Sequence, residues 1–239
     1  MKMGLVLLLS SLLFGVSCGS VKIYLNHTSS LPAQTKTEPK QARSVKGQTL
    51  TSTTTPAVRL KFDKAFKYAG GHDFILYDVA RAEQHFFVDA DKQGRVRRMY
   101  WIQFEGYLPS NTHTYKYKVN KSVQIGGLDF IADAYPRNIK ANPGRPDSDG
   151  SRARGFLESK GYRLASDDVL SQRLVYLVDE EKRNELMIIY LEDLSAMKLT
   201  AADFEVGGSA ASRWNEISNG LLERALKGMT ISHDIKASR

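Results

Sequence analysis

The stretch Val96 to Leu108 constrains the fold more than any other. It contains Met99-Tyr100-Trp101-Ile102-Gln103-Phe104, and aromatic and β-branched side chains at this density favour an extended strand. With a period of two, Tyr100, Ile102 and Phe104 share one side. Met99 and Trp101 share the other with Gln103 and Glu105, so that side is apolar at one end and polar at the other. The neighbouring sequence supplies partners through short connections. Val58 to Phe62 alternates weakly, and Phe74 to Asp89 is strand-like, with Phe86 and Val88 opposite His85 and Phe87. Asp91-Lys92-Gln93-Gly94 is a turn, and Tyr115 to Val119 reads as a half-buried strand with Lys116 and Lys118 outward.

Helix signals come later. Asp147-Ser148-Asp149 precedes a helical stretch to Lys160, with Ala153, Phe156 and Leu157 at core spacing and Gly161 as the stop. Leu174 to Val178 and Leu186 to Leu191 are apolar runs joined by a charged hairpin connection over 179–184. Ala210, Trp214, Ile217, Leu221 and Ala225 form one stripe of an amphipathic helix, with Ser209 as its expected cap and Trp214 expected inside. Turns, not helical crossovers, join the strand pairs. The expected fold is therefore α+β, an antiparallel sheet with helices packed on one face.

The N-terminus reads as an address. The apolar run from Gly4 to Val16 is thirteen residues long, too short for a spanning helix of about 20 but right for a signal peptide's apolar region of about 7 to 15. Phe14-Gly15-Val16-Ser17-Cys18 resembles the lipobox of bacterial lipoproteins. That resemblance implies that Cys18 becomes the first mature residue and carries a lipid, and that Gly19 behind it favours the outer membrane of a cell with two. Ser17 and Gly19 also permit ordinary cleavage and secretion. Residues 19–57, rich in Ser and Thr with few large apolar groups, read as a disordered tether; 58–239 is the single globular domain.

Charge narrows the partners. Residues 1–57 hold six basic groups against one acidic, so much of the formal charge of +8 sits before the domain. A nucleic-acid binder would concentrate it on the folded module. A membrane reached through the N-terminal lipid is the expected partner, and no nucleic acid is. Inside the domain, residues 90–165 hold 14 basic and 7 acidic groups while 166–206 hold 4 and 10. The simpler reading is that these blocks fold onto each other and cancel.

Chemical motifs are sparse. One cysteine excludes an internal disulfide, and no Cys/His cluster marks a metal site, so neither metal nor cofactor is expected. Asp89 to Gly94 opens like a calcium loop but has Tyr100 where a bidentate Glu is needed. Ser195-Ala196-Met197-Lys198 matches the SxxK pattern of serine acyl transferases without its companion elements. His72-Asp73 beside Gly70-Gly71 has the only histidine in a loop-like setting suited to acid and base work. No catalytic residue is assigned. Met99, Trp101, Gln103 and Glu105 are the candidate ligand-binding residues, because a face part apolar and part polar suits a cavity wall. The expectation is an exported, lipid-anchored cell-envelope or periplasmic protein whose domain binds an apolar small ligand or an envelope partner. The alternatives are an envelope hydrolase, or a secreted eukaryotic glycoprotein with sequons at Asn26 and Asn120.

Overall fold

Strand alternation dominates the computed structural model, which describes residues 42–233. In chain order the strands are β1 (Arg43–Lys46), β2 (Thr49–Ser52), β3 (Val58–Phe62), β4 (Lys67–Leu76), β5 (Ala80–Ala90) and β6 (Arg95–Tyr107). There follow β7 (Ser122–Ile125), β8 (Leu128–Asn138), helix α1 (Asp149–Ser159), β9 (Arg163–Leu164), β10 (Asp168–Leu177) and β11 (Asn184–Asp193). Helix α2 (Trp214–Lys227) and β12 (Met229–Ser232) close the chain. The large sheet runs β4-β5-β6-β11-β10-β8-β7, antiparallel throughout, with short β9 parallel to β6. A smaller sheet runs β1-β2-β3-β12. The fold is a mostly-sheet α+β arrangement.

Strand β6 lies inside the sheet, between β5 and β11, and carries apolar side chains on both sides, so both sides need a cover. On one face Tyr100, Ile102 and Phe104 meet the small sheet and α2: Phe62 stacks on Phe87 at 4.1 Å, and Tyr100 donates to the Ala225 carbonyl at 2.6 Å. On the other, Phe86, Met99, Trp101 and Ile189 form a second core with Ala153 and Leu157 of α1. The helices therefore sit on opposite faces of the large sheet. This corrects the expectation of helices on one face, which needed a sheet with only one apolar side.

Folded structure also begins earlier than expected. Residues 43–52 form the β1–β2 hairpin, with Leu50 fully buried opposite Leu60 of β3. The Ser/Thr composition misled because threonine also suits a strand's half-exposed face, and one buried leucine is enough to dock a short hairpin. Residues 1–41, including Cys18, lie outside those described.

Three elements differ locally. The strand expected over Phe74 to Asp89 is two strands, β4 and β5, turning at Tyr77 and Asp78, which both adopt left-handed φ (50° and 58°). No glycine marked that turn. Tyr115 to Val119 is an extended loop; its alternation arises because Tyr115 and Tyr117 reach inward to side-chain partners. Helix α2 begins at Trp214, and Ser209 donates to Asp203 (2.6 Å) instead of capping it. Ser148, by contrast, does cap α1, accepting from the Ser151 backbone N–H.

Candidate functional site: a cleft beneath helix α1

Helix α1 leans on one side of its sheet face. Phe156 stacks on His72 (4.5 Å) and Phe86 (5.4 Å), above the β4–β5 pair. Gly70 makes this approach possible: its φ is +128°, and a Cβ there would lie 2.9 Å from the Phe156 ring. The first residue of α1 is fixed too, since Gln84 Nε2 donates to the Asp149 carbonyl at 3.2 Å.

On its other side α1 stands clear of the sheet, leaving a cleft of about 520 Å³. Its floor is Met99 and Trp101 of β6, Ile189 and Leu191 of β11, and Val169 and Ser171 of β10. Ala153 and Leu157 form the helix wall, and Tyr135, Arg137 and Ile139 the wall at β8. Trp101 is 8% exposed, and its indole N–H is buried without an acceptor. Tyr135 and Ser171 are direct cross-strand partners whose hydroxyls make no hydrogen bond among the described residues.

Gln103 and Glu105 do not line this cleft. They continue the same strand face into a filled polar network. His72 Nε2 meets Gln84 Oε1 at 2.8 Å, Gln84 Nε2 donates to Gln103 Oε1 at 2.7 Å, and Gln103 Nε2 donates to Glu105 Oε2 at 2.5 Å. Because the amide oxygen of Gln84 can only accept, His72 must carry its proton on Nε2. Tyr115 donates to Glu105 (2.8 Å), and Tyr117 to Glu185 (2.7 Å), which stands directly across from Glu105. Burial pushes the Glu185 carboxyl up to about 8 and raises that of Glu105. Burial also lowers the basicity of His72. The line ends at Glu105; Glu185 across from it is bonded to Tyr117, and burial favours the protonated form of both carboxyls and the neutral form of His72.

The remaining candidates have structural explanations. His72 lies within β4, not in a loop, and Asp73 beside it pairs with Arg81 at 3.1 Å. Ser195 sits in a single 3-10 turn with its hydroxyl donating to Asp193 at 2.6 Å, so the SxxK spacing does not fall on an α-helix face. Asp91 accepts from the backbone of Gln93 and Arg95 and closes the β5–β6 turn. Among the described residues no cluster of metal-ligating side chains occurs, and no helix is long and apolar enough to cross a membrane.

Around the cleft mouth stand Arg137, Lys140, Arg154 and Arg163, with Glu158 and Asp167. The sequence left these unassigned, although all four cations come from the basic block 90–165. Strands of that block do pair with strands of 166–206, β6 with β11 and β8 with β10, but none of the ion pairs among the described residues joins a cation of the first to an acid of the second. Gln84, Tyr115, Tyr117 and Glu185 were likewise unassigned, since contacts between distant strands define them. No family model, curated protein or solved structure matches this chain.

Proposed function

We propose that this is an exported, lipid-anchored cell-envelope protein whose domain holds an apolar small molecule in the cleft beneath α1 and catalyses no reaction. The observation that carries the binding reading is the cleft itself, whose floor of Met99, Trp101, Ile189 and Leu191 is apolar and whose volume of about 520 Å³ falls within the usual range for small-ligand sites. The anchoring reading rests on Cys18 behind the apolar run of the leader. The non-catalytic reading gives Ser195 and His72 structural roles, with Ser195 Oγ donating to Asp193 and His72 Nε2 bonded to Gln84.

Trp101 reports on the cleft. In a Trp214→Phe variant the emission of Trp101 is expected to shift when a medium-chain alcohol is added, whereas Trp214 in a Trp101→Phe variant should hardly respond. Silence of Trp101 toward every apolar probe would remove the binding reading. Mass spectrometry of the mature N-terminus tests the anchor, with a lipid-bearing Cys18 expected and a chain beginning at Ser20 counting against it.

A further inference from the structure

Resting on that reading, we propose that the ligand is an amphipathic anion, a single hydrocarbon chain lying on the cleft floor with its negative head among Arg137, Lys140, Arg154 and Arg163. An apolar floor alone would accept any greasy molecule. The mouth is more selective, because it gathers four cations and only two acids, Glu158 and Asp167.

None of the four cations is neutralised from within. Arg137 spends Nε and Nη2 on the Asn142 carbonyl (3.2 and 2.5 Å), and Arg154 reaches only the Pro143 carbonyl at 3.4 Å. The side chains of Lys140 and Arg163 have no hydrogen-bond or ion-pair partner among the described residues. A guanidinium has five donors, so Arg137 and Arg154 keep several N–H groups for a ligand, in the planar geometry that suits a carboxylate or phosphate.

A second observation lies on the lining. Ser171 of the floor stands beside Tyr135 of the wall, and neither hydroxyl has a protein partner among the described residues. Both hydroxyls open on the cleft, so this pair offers donors and acceptors to a polar group at the junction of head and chain. Charge at the mouth, hydroxyls just inside and an apolar floor beyond follow the order of groups in an amphipathic anion.

The test uses the full chain carrying Cys18→Ser, which removes the proposed lipid as a competitor, and Trp214→Phe. Four probes of equal chain length are titrated below their micelle-forming concentrations, with Trp101 emission as readout: dodecanoate, dodecyl phosphate, dodecanol and dodecyltrimethylammonium. Either anion is expected to bind about tenfold or more tighter than the alcohol at low salt, equivalent to about 1.4 kcal/mol, with the gap narrowing as salt screens the mouth. Whichever anion binds tighter identifies the head as carboxylate or phosphate.

Arg137→Gln with Arg154→Gln should erase most of the gap by weakening both anions far more than dodecanol. Lys140→Gln with Arg163→Gln, which breaks no internal bond, should narrow it in the same direction. Dodecanol binding as tightly as both anions, or the ammonium probe binding tightest, overturns the anion assignment while leaving the cleft reading intact. No response to any probe overturns both.

Discussion

At the scale of single residues, Glu185 and Trp101 behave differently from what their types suggest. Glu185 is 3% exposed with a carboxyl pushed up to about 8, so the folded chain holds a proton there that the unfolded chain, titrating near 4.3, has lost. Its contribution to stability is therefore full below about 4.3 and falls as pH rises toward 8, by at most about 1.4 kcal/mol per pH unit. Glu105 opposite acts in the same direction. Glu185→Gln keeps a hydrogen-bonding side chain without the charge. The difference between parent and variant in denaturant titrations should be small at pH 5 and reach a few kcal/mol in the variant's favour by pH 8; parallel pH profiles would refute the assignment. Trp101 is buried, whereas Trp214 at the start of α2 is only half-buried against Phe204, reversing the order expected from the helical stripe. Trp101→Ala should cost about 3–5 kcal/mol and Trp214→Ala less. Trp101→Phe should cost little, since it removes an indole N–H that has no acceptor. Urea melts of the three variants order them.

At the scale of elements, the β1–β2 hairpin belongs to the domain. It extends the small sheet from β3 and closes one end of the core through Leu50, while Arg43 pairs with Glu83 of β5 (2.8 Å) and lies over the Phe104 ring. Leu50→Ala should destabilise the protein by about 2–5 kcal/mol. Limited proteolysis should yield a fragment beginning near residue 42, with β1 and β2 protected. A fragment beginning at Val58 that melts with the intact chain would show the hairpin to be dispensable. The second structural dependency is α1, which touches the sheet mainly through Phe156, Ala153 and Leu157 and is open on its other side. The helix side of the cleft carries small residues, Gly150 and Ala153, and a Cβ at Gly150 would meet nothing within 4 Å.

At the scale of the whole molecule, local patterns were readable and long-range assignments were not. The period-two pattern of Val96 to Leu108, the 179–184 hairpin connection, the capped helix α1 and the stripe Ile217, Leu221 and Ala225 depend on neighbours within a few residues, and the chain spells them out. Met99 and Trp101 could be singled out for the same reason, as apolar members of a mixed strand face that now lines a cleft. Strands β7, β8 and β12 are short or mixed in polarity and become strands by pairing with partners far along the chain, as Met229 does with Phe62. Which face each helix covers, that Glu185 stands across from Glu105, and that four cations of one block meet at the mouth of a cleft are consequences of register and layer order. The sequence by itself determined that Val96 to Leu108 and the runs either side of the 179–184 connection extend, that α1 and α2 coil and where their apolar side chains recur, because those follow from backbone sterics and periodicity. Only the tertiary structure decided the burial of a carboxylate, the opening beside α1 and the charge around it, because each depends on groups from separate strands and helices brought into contact by packing.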